Sequence, residues 1–235
     1  MRNSLAAVRA IVLDIEGTTT AIAFVADVLF PFARTHLRAY LQDPANSDAL
    51  REPLRRLREE WTADPERPST QYVDAEYVEW LMDRDRKSPG LKLLQGLIWE
   101  QGYRTGELQG EVFADVAPAL RRWRHAGIAV AIYSSGSELA QRLLFGSTRE
   151  GDLTALIDRF FDTGVGPKQA PDSYRRIAGE LSCPAGAMLF ISDVPAELEA
   201  AEAAGCQTLL CVRPGNAPQS PHASGVIHSF DQVQP

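Results

Sequence analysis

Three short apolar runs in this chain each stop abruptly at a residue able to do chemistry. Residues 8–13 (VRAIVL) end at Asp14, residues 128–133 (IAVAIY) at Ser134 and Ser135, and residues 187–191 (AMLFI) at Ser192 and Asp193. Runs this short and rich in β-branched residues read as strands buried on both faces, the kind found inside a parallel sheet. Helical patterns separate them: residues 115–126 up to Gly127, 138–145, 172–181 after Pro171, and 196–204 up to Gly205. Further extended runs are expected at 160–161, 208–212 and, as an edge strand, 226–230. Strands alternating with helices build βαβ units, so the expected fold is α/β with a doubly wound parallel sheet. In such sheets ligands bind outside the carboxyl ends of the strands, where the reactive residues cluster here.

The alternation is interrupted once. Residues 22–110, directly after the first strand, read almost wholly as helix. Residues 24–41 are apolar at helical spacing, with Pro31 kinking or restarting the helix. Residues 48–61 are charged and amphipathic. Val73, Tyr77, Trp80 and Leu81 share one helical face, and 91–103 form a further block entered through Ser88-Pro89-Gly90. Pro44, Pro65 and Pro68 fall in the breaks. The expected organisation is an α/β catalytic core of residues 1–21 and 111–235, with a helical domain of residues 22–110 inserted after the first strand.

Charge narrows the partners. With 31 acidic against 24 basic residues the net charge is −7, which argues against a nucleic-acid surface and leaves small anions held by local cations. No apolar stretch approaches the ~20 residues of a membrane span. The N-terminal run ends at an acidic residue with no signal-peptide pattern. Cys183, Cys206 and Cys211 have no metal-ligand spacing and read as reduced, buried thiols. A cytoplasmic monomer with no nucleic-acid or membrane partner is expected.

The strand ends suggest a division of labour. In Asp14-Ile15-Glu16-Gly17-Thr18 the first carboxylate can attack phosphorus, while the second, two positions on, exchanges a proton with the leaving oxygen and then with water. Ser134, with Gly136 and a helix starting near Ser137, offers a hydroxyl and backbone N–H groups to a phosphate. Lys168, in Gly166-Pro167-Lys168, can hold a phosphoryl oxygen and the nucleophilic carboxylate together. Asp14 and Asp193 can supply two of the six positions of one magnesium, and Glu197 lies one turn further. Taken singly these are a solvated turn, a helix cap and a surface lysine; taken in order on the right strand ends, they are a constellation.

That constellation resembles the four-motif active site of haloacid dehalogenase-type phosphatases, and the helical insertion resembles their cap domain. The likeness sharpens in VLDIEGTTTAIAFVADVLFPF (12–32), DRKSPGLKLLQGLIW (85–99), FADVAPALRRWRHAGIAVAIYSSGS (113–137), LLFG (143–146), FDT (161–163), SYRRIA (173–178) and VRPGN (212–216). These segments are similar to the enolase-phosphatase family of methionine salvage and span nearly the whole chain; the third motif reads GPK within the family's G-x-K. The resemblance implies one magnesium per subunit held by Asp14, Glu16 (through its backbone carbonyl) and Asp193. It also implies substrate contacts from Ser134, Ser135 and Lys168, and catalysis by Asp14, Glu16 and Lys168. It implies a bifunctional reaction: 2,3-diketo-5-methylthiopentyl-1-phosphate is enolised, and the enol phosphate is hydrolysed to an acireductone and phosphate.

Other readings make different demands. A haloacid dehalogenase needs neither a proton for its halide nor a metal, and Glu16, Gly17 and Asp193 with Glu197 favour the metal-dependent branch; a halide-release assay would discriminate. A non-catalytic scaffold would have lost site residues, and none is lost. A magnesium-dependent phosphatase of another small phosphate ester is the alternative to the enolase-phosphatase reading.

Overall fold

The computed structural model describes residues 3–4, 8–68, 73, 75–218 and 225–234. The last residue, most of the N-terminal run before Val8 and part of the expected helical stretch (69–72 and 74) lie outside the described residues, as do 219–224. The strands are β1 (Asn3–Ser4), β2 (Ala10–Leu13), β3 (Ala129–Tyr133), β4 (Arg159–Phe161), β5 (Met188–Ser192), β6 (Gln207–Cys211), β7 (Gly225–Ile227) and β8 (Val233–Gln234). The helices are α1 (Ile22–Phe24), α2 (Phe30–Gln42), α3 (Arg51–Ala63), α4 (Ala75–Asp83), α5 (Pro89–Thr105), α6 (Val116–His125), α7 (Glu138–Gly146), α8 (Pro171–Glu180) and α9 (Pro195–Ala203).

Six strands form one sheet in the order β4-β3-β2-β5-β6-β7, every pair parallel. The fold is therefore α/β with helices flanking a doubly wound sheet, and β1 pairs with β8 in a separate small ribbon. The central strand β2 is buried at every position, as a parallel strand covered on both faces must be. On one face Ala10 and Val12 pack with Ala131, Tyr133 and Phe190 against Tyr174 and Ile177 of α8 and Leu198 of α9. Each fully buried Ile or Leu in this sandwich contributes about 1.5–3 kcal/mol of hydrophobic stabilisation. Leu13 pairs with both Ile132 and Ile191, so three neighbouring strands end at the same level.

The chain divides into two compact units, Met1–Val25 with Gln109–Pro235, and Ala26–Leu108. Within the helical unit α5 starts at Ser88, whose hydroxyl accepts from Leu91 N at 2.9 Å, and ends at Gly106 in the left-handed region. Glu60 of α3 fastens that start, accepting from the Ser88 hydroxyl and, at 2.8 Å, from Gly90 N. Trp99 is buried and donates to Leu29 O at 2.7 Å, while Val28 and Phe30 are exposed.

Two local expectations shift. The helix expected from residue 48 starts at Arg51, because residues 47–50 continue the turn begun at Pro44–Asn46. Pro31 sits in the first turn of α2, and Val25–Leu29 before it is wound as a π-helical turn. None of the described helices is long and apolar enough to cross a membrane.

Candidate active site

Asp14 follows β2 directly and is only 4% exposed. Its backbone N–H still continues the ladder, donating to Ile191 O at 3.0 Å, which fixes where the side chain leaves the sheet. One carboxylate oxygen, Oδ1, accepts from Ile15 N at 2.7 Å and from Lys168 Nζ at 2.6 Å. The same ammonium lies 2.7 Å from Glu197 Oε2, so Lys168 joins two buried carboxylates. Ser192 Oγ stands 3.0 Å from Glu197 Oε2 and 3.4 Å from Asp14 Oδ2, and its single proton serves one of them at a time.

The titration behaviour follows from this packing. Burial alone would lower the pKa of Lys168, but Asp14 and Glu197 outweigh it and raise the pKa above the ordinary lysine value, so the group stays an ammonium. Burial pushes Glu197 up, and the charge of Asp14 pushes in the same direction against the pull of Lys168. Asp193, one residue past the end of β5, is pushed up to about 7, first by burial and then by Asp14. A carboxylate this reluctant to ionise beside another is a place where added positive charge is welcome.

Three elements hold Lys168 in register. Gly166 adopts φ +140 and has Ser173 packed where a Cβ would stand, so a side chain there would be both strained and crowded. The carbonyls of residues 166, 167 and 168 are then caught in turn by the hydroxyls of Tyr133 (2.9 Å), Ser173 (2.8 Å) and Tyr174 (2.6 Å). Burial raises both phenols above their usual pKa, which keeps them protonated donors.

Ser134 lies at the end of β3, buried, with its N–H on Phe161 O and its Oγ accepting from Gly136 N at 3.2 Å. Ser135 is exposed. Ser137 caps α7 through its side chain, which accepts from Ala140 N. Glu16 is exposed in the turn after Asp14, where Gly17 N donates to Thr20 O. Gly17 has φ +70, and a side chain there would overlap the Asp193 carboxylate.

Asp14 and Lys168 thus meet directly, with Asp193 and Ser134 on the flanking strand ends. Sequence reasoning placed Ser192 at the end of its strand without a role and used Glu197 only as support for a metal-dependent site; it linked neither to Lys168. A buried serine in an otherwise apolar strand, five residues before a glutamate one turn into a helix, was the available signal for both. Among the described residues no three His, Cys, Asp or Glu side chains converge as a ready-made metal cage. Asp14 and Asp193 nevertheless fit magnesium, which binds through one or two carboxylates and completes its shell with waters and substrate phosphate.

A buried carboxylate clamped by a lysine, with a second acidic strand end beside it, is the arrangement expected of a hydrolase of the haloacid dehalogenase kind. A family model described as haloacid dehalogenase-like hydrolase matches residues 8–205. The chain is 49% identical over 229 residues to the Enolase-phosphatase E1 of Synechococcus elongatus, covering 95% of this chain and 96% of that one. It is 47% identical to the Enolase-phosphatase E1 of Pseudomonas syringae, over 89% of this chain and 91% of that one. Among solved structures it is similar to the UTR4 protein (Unknown transcript 4 protein) of Saccharomyces cerevisiae. That match has a TM-score of 0.77 and 33% identity, and covers 95% of this chain and 99% of that one. The chain belongs to the haloacid dehalogenase-like hydrolases and, within them, to the enolase-phosphatase family.

Proposed function

We propose that the protein is a magnesium-dependent enolase-phosphatase of methionine salvage, an acireductone synthase. It converts 2,3-diketo-5-methylthiopentyl-1-phosphate, through the 2-hydroxy-3-keto enol phosphate, to 1,2-dihydroxy-3-keto-5-methylthiopentene and phosphate. The observation that carries the hydrolytic half is the Lys168 ammonium held 2.6 Å from Asp14 and 2.7 Å from Glu197, with none of the three side chains more than 11% exposed. Near-full-length identity with proteins named enolase-phosphatase supports the choice of substrate.

Asp14, Asp193 and the backbone carbonyl of Glu16 would hold one magnesium per subunit, which when bound supplies positive charge to the phosphoryl oxygens and to Asp14. In the first half-reaction Glu16 takes a proton from the carbon bearing the phosphate ester, Lys168 stabilises the negative charge that develops on the neighbouring carbonyl oxygen, and a proton from solvent completes the 2-hydroxy enol while Glu16 keeps the one it took. In the second, Asp14 attacks phosphorus, the bond to the enol oxygen breaks, and Glu16 returns a proton to that oxygen. Glu16 then removes a proton from water; the water oxygen attacks phosphorus, phosphate leaves and Asp14 is regenerated. Ser134 and Ser135 hold the phosphate and the adjacent oxygens of the substrate. The helical unit of residues 26–108 serves as the cap that selects the substrate, and the enzyme works as a cytoplasmic monomer.

The test is direct. Purified protein with magnesium and the diketone phosphate should raise the ultraviolet absorbance of the enol and release one phosphate per substrate. Release of phosphate from other small esters without turnover of the diketone would assign the phosphatase but not the enolase.

A further inference from the structure

The segment Val-Arg-Pro-Gly-Asn at residues 212–216 follows β6 and has no part in the chemistry above, yet two of its side chains reach into the turn that carries Glu16. Asn216 Nδ2 donates to Gly17 O at 3.0 Å, and Arg213 Nε donates to Thr18 O at 3.1 Å. The next carbonyl, Thr19 O, is taken by Phe113 N at 2.9 Å. Three successive carbonyls are therefore pinned from outside the turn, the same device that fixes residues 166–168 around the lysine.

The pins are themselves fixed. Asn216 Nδ2 also lies 3.4 Å from Cys211 O, so an amide turned the other way would set its oxygen against two carbonyl oxygens. That orientation leaves Oδ1 buried without a partner, against the face of Gly17 where a Cβ would come within 3.1 Å. A buried amide oxygen without a partner is costly, and its retention calls for a purpose beyond stability. Arg213 is buried between the rings of Phe113 and Phe230, at 4.5 and 4.7 Å, and its Nη1 meets Asp115 at 2.7 Å and His228 O at 3.1 Å.

We propose that Asn216 and Arg213 are positioning residues that hold the Gly17–Thr18 carbonyls and thereby aim Glu16 for proton transfer. The proposal rests on the reading of Glu16 as the group that protonates the leaving oxygen. Asp14 has its own supports in Ile15 N, Lys168 and the sheet, so loosening the turn should misplace Glu16 and spare the nucleophile.

Aryl phosphates of graded leaving-group acidity separate the two, because p-nitrophenol leaves without help and phenol does not. In the first turnover of the full chain with magnesium, where release of the phenol reports attack on phosphorus and not the later hydrolysis of the aspartyl-phosphate, Asn216→Ala should slow p-nitrophenyl phosphate less than about threefold and phenyl phosphate by about 10²-fold, the scale expected when a catalytic group is misplaced by an ångström. Arg213→Lys, which keeps the charge beside Asp115 but lacks the Nε donor, should show the same pattern more weakly. Glu16→Gln should show it fully. Amide hydrogen exchange should accelerate in residues 15–20 of Asn216→Ala and stay unchanged in β3 and β5. Equal slowing of both esters, or unchanged exchange in residues 15–20, would overturn the positioning role while Glu16→Gln remains selective. A Glu16→Gln enzyme that treats both esters like the wild type would overturn the reading of Glu16, and this inference with it.

Discussion

Arg34 and Asp83 in the helical unit, and Lys168 with Asp14 and Glu197 in the α/β unit, are ion pairs of the same length and opposite circumstance. The first pair, at 2.6 Å, leaves side chains 48% and 53% exposed; in the second cluster no side chain is more than 11% exposed. The helical unit repeats the exposed arrangement along α3, where Arg55 sits between Glu52 and Glu59. The α/β unit has exposed pairs too, such as Arg175–Asp172, but among the described residues only it also has pairs with both partners nearly out of water. Taking paired charges out of water is close to neutral for stability at best, whereas breaking such a pair is expensive. The buried cluster therefore marks where the fold tolerates a cost for chemistry, and the exposed pairs mark surface that could change freely.

The largest test of that contrast is Asp14→Asn. The amide keeps the shape but is a poor nucleophile, so phosphate release should fall by roughly 10⁴-fold or more, the scale seen when a nucleophile is removed. Enolisation, which needs no attack on phosphorus, should survive in part, and absorbance followed beside phosphate release would show it. Equal and complete loss of both steps would mean that magnesium binding had collapsed with the nucleophile.

Next come the partners of the lysine. Lys168→Met removes the cation between two carboxylates and should lower kcat by about 10²–10³-fold. Glu197→Gln retains a hydrogen-bonding oxygen for Lys168 and Ser192 and should cost distinctly less. If Glu197→Gln were as damaging as Lys168→Met, Glu197 would belong to the chemistry and not to the support of Lys168.

That distinction was only half legible in the sequence. Asp14, Ser134 and Asp193 could be found because strand ends are visible as breaks in apolar runs, and a parallel sheet brings those ends together; Lys168 stood out only through Gly-Pro-Lys ahead of a helix, in the loop beyond β4. The hydroxyls of Tyr133, Ser173 and Tyr174 could not, since they read as ordinary core and helix residues and act on backbone atoms in a separate loop. Arg213 and Asn216 were visible only as part of a motif, because their partners lie almost 200 residues away in the chain. Element ends shifted where a side chain competed with the regular pattern: the edge strand expected at 226–230 stops at Ile227, and Ser229 caps a short 3-10 turn at Phe230–Gln232.

Asp115 offers a smaller effect with a defined pH dependence. Burial would raise its pKa, but the guanidinium of Arg213 and the N–H of Phe230 outweigh that and hold the carboxyl below the usual range. A folded-state pKa below the unfolded one means a stabilising contribution that is complete above the unfolded value, near 4, and disappears as pH falls through the folded value. Asp115→Asn should therefore cost about 1.5–3 kcal/mol at pH 6, the scale of a hydrogen bond to a charged group, and little in strong acid, where wild type and variant converge. Denaturant unfolding at a series of pH values would measure it. A constant difference across all pH values would show that shape, and not the charge facing Arg213, decides the loss.

The smallest expected effect is the one that most sharpens the comparison. Arg34→Ala removes a 2.6 Å ion pair and keeps everything else in the helical unit. Both side chains are about half exposed, so water and salt already screen the attraction, and ordering two long side chains offsets much of what remains. The melting temperature should move by less than about 2 °C, and should move still less when salt is raised. Phosphate release should stay at the wild-type rate. A larger shift that persists in high salt would mean that the guanidinium stem packs against its neighbours, and that exposure alone does not separate the tolerant charges of this molecule from the demanding ones. A small, salt-sensitive shift, set beside the losses at Lys168, would leave desolvation as the property that divides them.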